Sequence, residues 1–301
     1  MAAKGNIIKG QSIDDRVFNI VVNTFVILAT LITVYPIYFV ALASISDPAA
    51  VQSGHVFFWP VGIDFGAYKH ILNDARIWRG YGNTILYTVF GTALGVLLTV
   101  LGGYALSRKD LIGRNAIMKI LVFTMYFNGG LVPTYMVVKN LKLVNTPYIM
   151  MLLGSFTVFN LIITRTFFAS KIPDELRDAS NIDGCGNGRF FTRIVLPISK
   201  EIIAVIVLYI AVSHWNSFFN ALIYLGNQKL YPLQLILREI LVASQTIMSE
   251  GADSAQLIEM QRLSETIKYG VMIISTLPIL ALYPFLQKYF IRGVMIGSIK
   301  G

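Results

Sequence analysis

The sequence predicts an all-α membrane protein with six transmembrane helices, and three observations lead to this fold class. Of the 301 residues, 55% are hydrophobic and only 14% are charged, whereas soluble domains carry about 25% charged residues. A helix needs about 20 consecutive apolar residues to cross a bilayer, and six such stretches are present. Polar or turn-forming segments separate them. The predicted spans are 17–44, 83–106, 116–138, 147–168, 202–225 and 269–290.

The distribution of lysine and arginine predicts the orientation of these spans. If both termini are cytoplasmic, 16 of the 25 basic residues fall on the cytoplasmic side and 9 on the outside. Most of the nine lie in the long loops 46–81 and 226–267, which weigh little in the positive-inside rule. We therefore expect a cytoplasmic N-terminus at 1–16, a six-helix domain at 17–292 and a cytoplasmic tail at 293–301.

The loops differ in character. The first outer loop, 46–81, is aromatic-rich with a short helical pattern at 64–75, and a short basic loop at 107–115 and a turn at 139–146 follow. The second outer loop, 226–267, begins with a helical pattern at 232–244 that has more apolar positions than one helix face needs. This pattern fits either a helix at the membrane interface or a contact with a partner.

Two spans contain residues that shape helices. Pro36 is expected to kink the first span. Gly91 and Gly95 in the second span form a pair of small residues one helical turn apart, which allows close helix packing in a membrane.

The polar segment 171–200 lies between the fourth and fifth spans and is the most informative part of the chain. Its sequence is KIPDELRDASNIDGCGNGRFFTRIVLPISK. Pro173 followed by two acids predicts the first turn of a helix, because proline is pre-set for that turn and acids suit its positive end. Three glycines, at 184, 186 and 188, are expected to stop this helix before a second short apolar one. A helix, a turn and a second helix on the cytoplasmic side predict a docking element.

No pattern for catalysis or cofactor binding is present. The glycine cluster GCGNGR lacks the spacing and lysine of a phosphate-binding loop, and the three histidines lack metal-ligand spacing. No nucleophile elbow occurs, one cysteine excludes an intramolecular disulfide, and the basic–aromatic stripes typical of RNA binding are missing. The spans contain almost no ionisable residues, whereas proton-coupled carriers usually have some. The energy for any transport is therefore expected from another subunit.

Polar and aromatic residues in the outer half of the spans are candidates for a substrate path. The sequence HWNSFFN in the fifth span combines imidazole, amide and aromatic groups, which suit the apolar faces and hydroxyls of a sugar. Interface aromatics with interhelical hydrogen bonds explain the same pattern equally simply. The candidates are His214, Trp215, Asn216, Phe219 and Asn220, with Tyr126, Asn128 and Asn160 as weaker ones.

The docking element resembles the "EAA" loop of the permease subunits of bacterial ABC importers. That pattern is Glu-Ala-Ala, three residues, Gly, a spacer and Ile-x-Leu-Pro. Here Asp178-Ala179-Ser180 occupies the triplet, Asp183-Gly184 the acid–glycine pair, and Ile194, Leu196 and Pro197 the end. Asp178 replaces the usual Glu and Ser180 the second Ala, which puts the strength of the helix in question.

Further motifs extend the resemblance over most of the chain. Asn83 with GGYALSR at 102–108 is similar to the second span of carbohydrate-importer permeases. The segments FNGGLVPTYMVVKNLKLVNT, HWNSFFNAL and YPLQLILREIL resemble the polysaccharide or aldouronate branch. The ending RGVMIGSIKG resembles the tail of the smaller maltose-transporter permease.

The resemblance implies a type I ABC importer permease fold and a function. Such a chain forms half of a pore in the bacterial cytoplasmic membrane with a second, usually different, permease subunit. An extracytoplasmic binding protein delivers an oligosaccharide or polysaccharide fragment, and two separate ATPase subunits bind ATP and Mg. The chain itself is then non-catalytic and holds no cofactor or nucleic acid. On this reading Glu175, Asp178, Ala179, Asp183 and Gly184 couple to the ATPases. The alternative is a self-sufficient secondary carrier or channel for a polar solute.

Overall fold

The computed structural model describes residues 13–249 and 266–281, and these are helical apart from turns and an isolated bridge between Ser46 and Ile63. The helices are α1 (Ile13–Ser44), α2 (Pro48–Gln52), α3 (Gly66–Asn73), α4 (Ala75–Ser107), α5 (Arg114–Tyr126), α6 (Leu131–Asn140), α7 (Pro147–Leu152), α8 (Val158–Lys171), α9 (Asp174–Ile182), α10 (Asn187–Phe190), α11 (Leu196–Ile198), α12 (Lys200–Trp215), α13 (Phe218–Tyr224), α14 (Leu233–Ser249) and α15 (Thr266–Ala281). A π-helical turn, Phe191–Val195, joins α10 to α11, and a 3-10 turn, Gln228–Leu230, precedes α14. The described chain is all-α, as predicted.

Two described helices, α1 and α4, are long and apolar enough to cross a membrane. The number rises to four if two bent helix pairs each count as one span: α5 with α6, bent by 115°, and the α10–α11 segment with α12, bent by 79°. The predicted sixth span, 269–290, extends past Ala281 and so lies partly outside the described residues. The tail 293–301, most of 1–16 and part of the loop 226–267 also lie outside them. Six spans therefore stay a prediction.

The third predicted span, 116–138, is wrong as a continuous helix. It breaks between α5 and α6 at Phe127–Gly130, where Gly130 has φ of +84° and Asn128 Oδ1 accepts a hydrogen bond of 2.9 Å from the Gly130 amide. Glycine adopts this left-handed φ at little cost, and Pro133 suits the first turn of the helix that follows. The sequence FNGGLVP is therefore a helix end and a new helix start.

The other span predictions also need correction. The fourth, 147–168, consists of α7 and α8 separated at 153–157, where Gly154 has φ of +85°. The fifth, 202–225, is interrupted at Asn216 and Ser217 between α12 and α13. The second begins earlier than predicted, because Asp74 caps α4 by accepting a 2.8 Å hydrogen bond from the Arg76 amide. Residues 75–81 are thus helical and not part of the outer loop.

The chain forms two compact units, which we describe separately. The described part of the first comprises 13–71, 243–249 and 266–273. Its core contains Leu42, Ala43, Val51 and Val56. From residue 17 to residue 38 the apolar side chains of α1 are exposed, and Pro36 lies inside this continuous helix. Such a helix is stable only where lipid or another protein covers it.

The second unit, whose described part comprises 72–242 and 274–281, is built around α4. A Cβ on Gly91 would overlap the His214 ring, and one on Gly95 would overlap the Ser155 carbonyl oxygen. A Cβ on Gly103 would lie 2.8 Å from the Thr164 Cγ2. These glycines let α8, α12 and the turn after α7 approach the α4 backbone, which explains the small residues noted in the sequence.

The N-terminal part of α4 is joined to the segment before α14 by hydrogen bonds. Asn83 Nδ2 donates to the carbonyls of Lys229 and Tyr231 at 2.9 and 3.0 Å. Tyr87 donates from its hydroxyl to the Leu230 carbonyl. Leu233, Leu235, Ile236 and Leu237 are then buried, with Leu233 and Ile236 against Gly80. The additional apolar positions at the start of α14 therefore pack within this chain.

A proline in α15 leaves one backbone carbonyl of that helix without its usual hydrogen-bond donor, and a side chain of α4 supplies the donor instead. Pro278 has no amide hydrogen, so the Ile274 carbonyl four residues earlier loses its usual helical donor. The Tyr81 hydroxyl donates to that carbonyl at 2.6 Å, and Trp215 Nε1 donates to the next carbonyl, of Ser275, at 3.1 Å. Two aromatic side chains thus fix the position of this part of α15 on α4 and α12.

Replacing Gly95 tests the close packing on α4. Gly95→Ala would push a methyl group into the Ser155 carbonyl, which is backbone and cannot rotate away. We expect a loss of about 1–3 kcal/mol in the free energy of unfolding. Denaturant titration of the purified chain in detergent measures it. Gly82→Ala is the matched control, because a Cβ there meets nothing within 4 Å on the same helix. Equal stability of Gly95→Ala and wild type would contradict the packing argument.

Candidate functional site

The docking element at 171–200 contains the helix α9, whose first turn holds the two predicted acids, whereas Pro173 lies one position before that turn. Pro173 is the N-cap, with φ of −69° and ψ of 152°, and Asp174 and Glu175 occupy the first turn. The two carboxylates lie at the positive end of the helix dipole. Lys109 Nζ lies 2.6 Å from the Asp174 carboxylate, which attaches this end to the loop between α4 and α5.

The C-terminal end of α9 is closed by Gly184 alone. Gly184 has φ of +67°, its amide donates to the Asn181 carbonyl at 3.0 Å, and the Cys185 amide donates to the Ser180 carbonyl at 2.9 Å. These two bonds and a left-handed glycine define a Schellman motif. The expectation that Gly186 and Gly188 also stop this helix is wrong. Gly186 has φ of −64° and caps α10, and Gly188 lies within α10.

One face of α9 is exposed to solvent along its length. Glu175, Asp178, Ala179 and Ile182 lie at positions i, i+3, i+4 and i+7, which places them on one side of the helix. All four are exposed, and Ile182 is 87% exposed. Asp183 and Gly184 extend the exposed surface at the helix end. The five predicted coupling residues are thus on one accessible surface, with an apolar side chain among them.

The opposite face of α9 is held against the rest of the second unit. Ser180 is buried, and its hydroxyl donates to the Arg177 carbonyl at 2.7 Å. Leu176 packs beside Cys185 in the cluster around Phe168. Because the Ser180 hydroxyl is satisfied within its own helix, serine at this position carries no unpaired buried polar group.

Asp110 links the loop after α4 to the docking element. Arg108 NH2 lies 2.5 Å and Arg177 NH2 lies 3.0 Å from the same Asp110 oxygen. These hydrogen bonds, first from Arg108 and then from Arg177, hold the pKa of the Asp110 carboxyl well below its usual range. Arg108 also donates to Asn187 Oδ1 at 3.1 Å, at the start of α10. One loop therefore contacts both halves of the element.

Aromatic packing joins the second half of the element to the long helices. Phe190 and Val195 are buried in a cluster that also contains Val100 and Phe168. The Tyr104 ring centroid lies 4.9 Å from that of Phe191 and 6.0 Å from that of Phe168. A movement of the docking element must therefore displace α4 and α8, or open this packed cluster.

The charged loop 108–110 was not identified as part of the site by sequence reasoning. It is short and follows an apolar span, so its basic residues were assigned to membrane topology. The residue that could have indicated a role for this loop is Asp110, an acid between basic residues at the end of a span. Its partner Arg177 is 67 positions away in the sequence, and the sequence therefore does not predict this pairing.

The substrate-path candidates are not equivalent in the structure. His214 is buried against Gly91, and its Nε2 lies 3.2 Å from Ser155 Oγ. Trp215 is buried and Asn160 is 5% exposed. The exposed candidates are Asn216, Phe219, Tyr126 and Asn128, and Asn220 is half-buried. The buried histidine and tryptophan serve helix packing, and a role in the substrate path stays a prediction for the whole set.

Among the described residues no group of three or more His, Cys, Asp or Glu side chains could hold a metal ion. The charged side chains that do cluster, at 108–110, 174 and 177, pair acids with bases. Their arrangement connects two parts of the protein.

Replacing Asp110 tests the ion-pair link. Asp110→Asn leaves Arg108 and Arg177 without their shared carboxylate, and because Asp110 is half exposed the expected loss is at most about 1 kcal/mol. A carboxyl with a lowered pKa in the folded state stabilises at pH above its unfolded pKa of about 4. The stability difference between wild type and variant should be constant from pH 8 to 5. It should shrink as the pH falls below about 4.

Unfolding titrations at several pH values measure this difference. Asp178→Asn is the control, since Asp178 is exposed and has no ion pair with a described residue. A difference for Asp110→Asn that grows towards low pH would contradict the assigned role of Asp110.

Comparisons with known proteins identify the family of the chain. No protein-family model matches the chain. The chain is 38% identical over 290 residues to the polygalacturonan/rhamnogalacturonan transport system permease protein YtcP of Bacillus subtilis, covering 95% of this chain and 99% of YtcP. It is 37% identical to the protein LplC of the same organism, covering 95% of this chain and 96% of LplC.

A solved structure is similar over the same length. It is a chain of a bacterial ABC transporter involved in the import of the acidic polysaccharide alginate, with 34% identity and a TM-score of 0.81. The similarity covers 93% of this chain and 99% of that chain. The resemblance noted in the loop motifs is thereby confirmed. The chain belongs to the family of permease subunits of carbohydrate ABC importers.

Proposed function

We propose that this chain forms half of the pore of an ATP-driven importer of an oligosaccharide or polysaccharide fragment. The support is that its relatives are named for such cargo: polygalacturonan and rhamnogalacturonan, melibiose, raffinose and stachyose, and alginate. The importer lies in the bacterial cytoplasmic membrane, with six spans in this chain and both termini in the cytoplasm. The chain is non-catalytic and binds no cofactor of its own.

The exposed face of α9 is the surface that docks on an ATPase subunit. The observation that carries this proposal is the stripe of Glu175, Asp178, Ala179 and Ile182. Ile182 lies in the polar segment between α8 and α12, and an apolar side chain that is 87% exposed there favours a protein partner. The acids beside it can pair with basic groups of the partner.

The energy for transport then comes from other chains. Two ATPase subunits bind ATP and Mg, and their closure moves the docking element as a body. The second permease subunit, a different chain, supplies the other half of the pore. An extracytoplasmic binding protein delivers the saccharide to the outer loops, including 226–267, whose start is tied to α4 through Asn83 and Tyr87.

The saccharide path includes exposed side chains near the breaks in the helices. Asn216 and Phe219 lie at or beside the break between α12 and α13, and Tyr126 and Asn128 at that between α5 and α6. Amide and aromatic groups there can meet the hydroxyls and ring faces of a sugar. His214 and Trp215 act by positioning α12. Asn160 and Asn220 are the remaining members of the proposed saccharide path.

Uptake by cells carrying Gly184→Ala tests the coupling role. Alanine in the left-handed conformation costs about 1–2 kcal/mol. This cost lowers the population with the docked conformation of the helix end about tenfold, and uptake should fall by the same factor. Gly186→Ala is the matched control, because Gly186 has φ of −64° and a Cβ there meets nothing within 4 Å. Its uptake should stay within about twofold of wild type.

A second variant makes the test independent of backbone strain. Asp178→Lys reverses a charge on the exposed face of α9 and should abolish most uptake while the protein still inserts, as membrane immunoblots would show. Normal uptake by both Gly184→Ala and Asp178→Lys would overturn the coupling proposal.

Reconstitution separates the importer from the self-sufficient carrier. Liposomes that contain only this chain should show no transport, because the chain has no phosphate-binding loop and almost no ionisable residues in its spans. Liposomes with both permeases, ATPase subunits, binding protein and ATP should accumulate saccharide. Transport by the chain alone would favour the carrier or channel.

A further inference from the structure

A cavity of about 410 Å³ lies between the end of α4, the start of α5 and the junction of α8 and α9. Its lining contains five basic and two acidic side chains: Arg108, Lys109, Arg114, Arg165 and Arg177, with Asp174 and Glu175. The residues named therefore carry a net charge of +3. Glu175 also belongs to the exposed face of α9 that is proposed for coupling, whereas the other six charged residues of the lining do not.

Part of this charge is already paired. Lys109 is bound to Asp174, and Arg108 and Arg177 share Asp110. Even so, the Nε of Arg177 is buried and has no hydrogen-bond partner among the described residues. A buried donor without a partner is unusual in a folded protein and is best explained by a ligand or water that accepts from it.

The other two cations have no acidic partner in the described chain. Arg114 and Arg165 are half-buried, and neither lies within ion-pair distance of a described carboxylate. Arg165 donates from Nε to the Leu106 carbonyl at 3.0 Å, which fixes its guanidinium group. A fixed guanidinium with free terminal nitrogens is suited to bind phosphate oxygens in pairs.

A second, apolar groove begins at the same arginine. This groove, of about 510 Å³, lies between α5 and α8 and is lined by Met118, Val122, Phe123 and Ile162, with Lys119 and Arg165 as its basic members. Arg165 thus lines both the charged cavity and the apolar groove. A ligand that fills both must carry an anionic group at one end and a hydrocarbon chain at the other.

We propose that the two cavities bind one anionic phospholipid, with its phosphate at Arg114 and Arg165 and an acyl chain in the groove between α5 and α8. Basic pockets between membrane helices at the headgroup level bind anionic lipids for this reason. A free phosphate ion has the same charge chemistry but would leave the apolar groove empty. A lipid with a zwitterionic headgroup adds a cation to a site of net positive charge.

Lipid binding at this site would stabilise the junction between α9 and the loop after α4. The headgroup would lie beside Lys109 and Arg177, the residues that attach α9 to the loop after α4. An anion there would pair with Arg114 and Arg165, which have no carboxylate partner among the described residues, and so stabilise this junction. The inference does not depend on the proposed docking of an ATPase on the opposite face of α9.

The test uses the purified full-length chain in detergent. Phosphatidylglycerol, phosphatidylcholine of the same chain length or inorganic phosphate is added, and the thermal unfolding midpoint is followed as a function of concentration. We expect phosphatidylglycerol to raise the midpoint saturably, and the other two additions to have little effect. Arg114→Gln should raise the half-saturating concentration about fivefold, because one basic residue near an anionic lipid contributes about 1 kcal/mol to binding.

Three further variants keep the test decisive. Lys171→Gln, at the end of the same helix as Arg165 but outside both cavities, removes one positive charge and should leave the half-saturating concentration unchanged. Arg165→Lys keeps the charge but loses the bond to Leu106, and should weaken lipid binding without unfolding the chain. Val122→Phe fills the groove and should weaken binding of the lipid while the charges stay in place.

Three results would overturn the proposal. Equal stabilisation by inorganic phosphate would show a site for a free anion, and equal stabilisation by phosphatidylcholine would show non-specific lipid contact. An unchanged half-saturating concentration for both Arg114→Gln and Arg165→Lys would place the lipid elsewhere. None of these results would alter the expected uptake defects of Gly184→Ala and Asp178→Lys, so the two proposals fail independently.

Discussion

The close approach of backbones along α4 is the contact on which the second unit depends. Apolar side chains gain little from leaving lipid, so helices in a membrane associate mainly through packing and hydrogen bonds. Gly91, Gly95 and Gly103 allow that packing because each removes a side chain where α12, the turn before α8, or α8 itself touches α4. The buried His214 and Thr164 fill the spaces that these glycines leave.

Both ends of α4 are connected by polar contacts to the segments that are proposed to meet other proteins. In its N-terminal part Asn83 and Tyr87 donate to the carbonyls before α14. Beyond the inner end Arg108 and Asp110 connect to the docking element. A helix of 33 residues spans about 50 Å, so one stiff element links the two regions.

Much of the docking element was predictable because its signals are local. Pro173 and the acids after it define the start of α9, and Gly184 defines its end, through preferences of the backbone and of charges near helix termini. The exposed stripe on α9 also follows from helical periodicity. The membrane class of the chain needed only composition. These features depend on residues within a few positions of one another.

The helix breaks were only partly predictable. A hydropathy count averages over about 20 residues and therefore passes over the Asn-Gly-Gly sequence between α5 and α6, although Gly130 carries the signal. The interruption between α12 and α13 has no glycine or proline and depends on what packs around it. Similarly, the helical pattern at the start of α14 predicted an additional contact but not that Gly80 of the same chain provides it.

The sequence by itself determined the membrane class, the start and end of α9 and the family, because composition, turn residues and motif spacing do not depend on the rest of the fold. Only the tertiary structure decided that Asp110 connects two arginines 69 residues apart (Arg108 and Arg177). It also decided that Tyr81 supplies the donor Pro278 lacks, and that Arg165 lines both a charged cavity and an apolar groove. These pairings join distant parts of the chain, and packing alone brings them into contact.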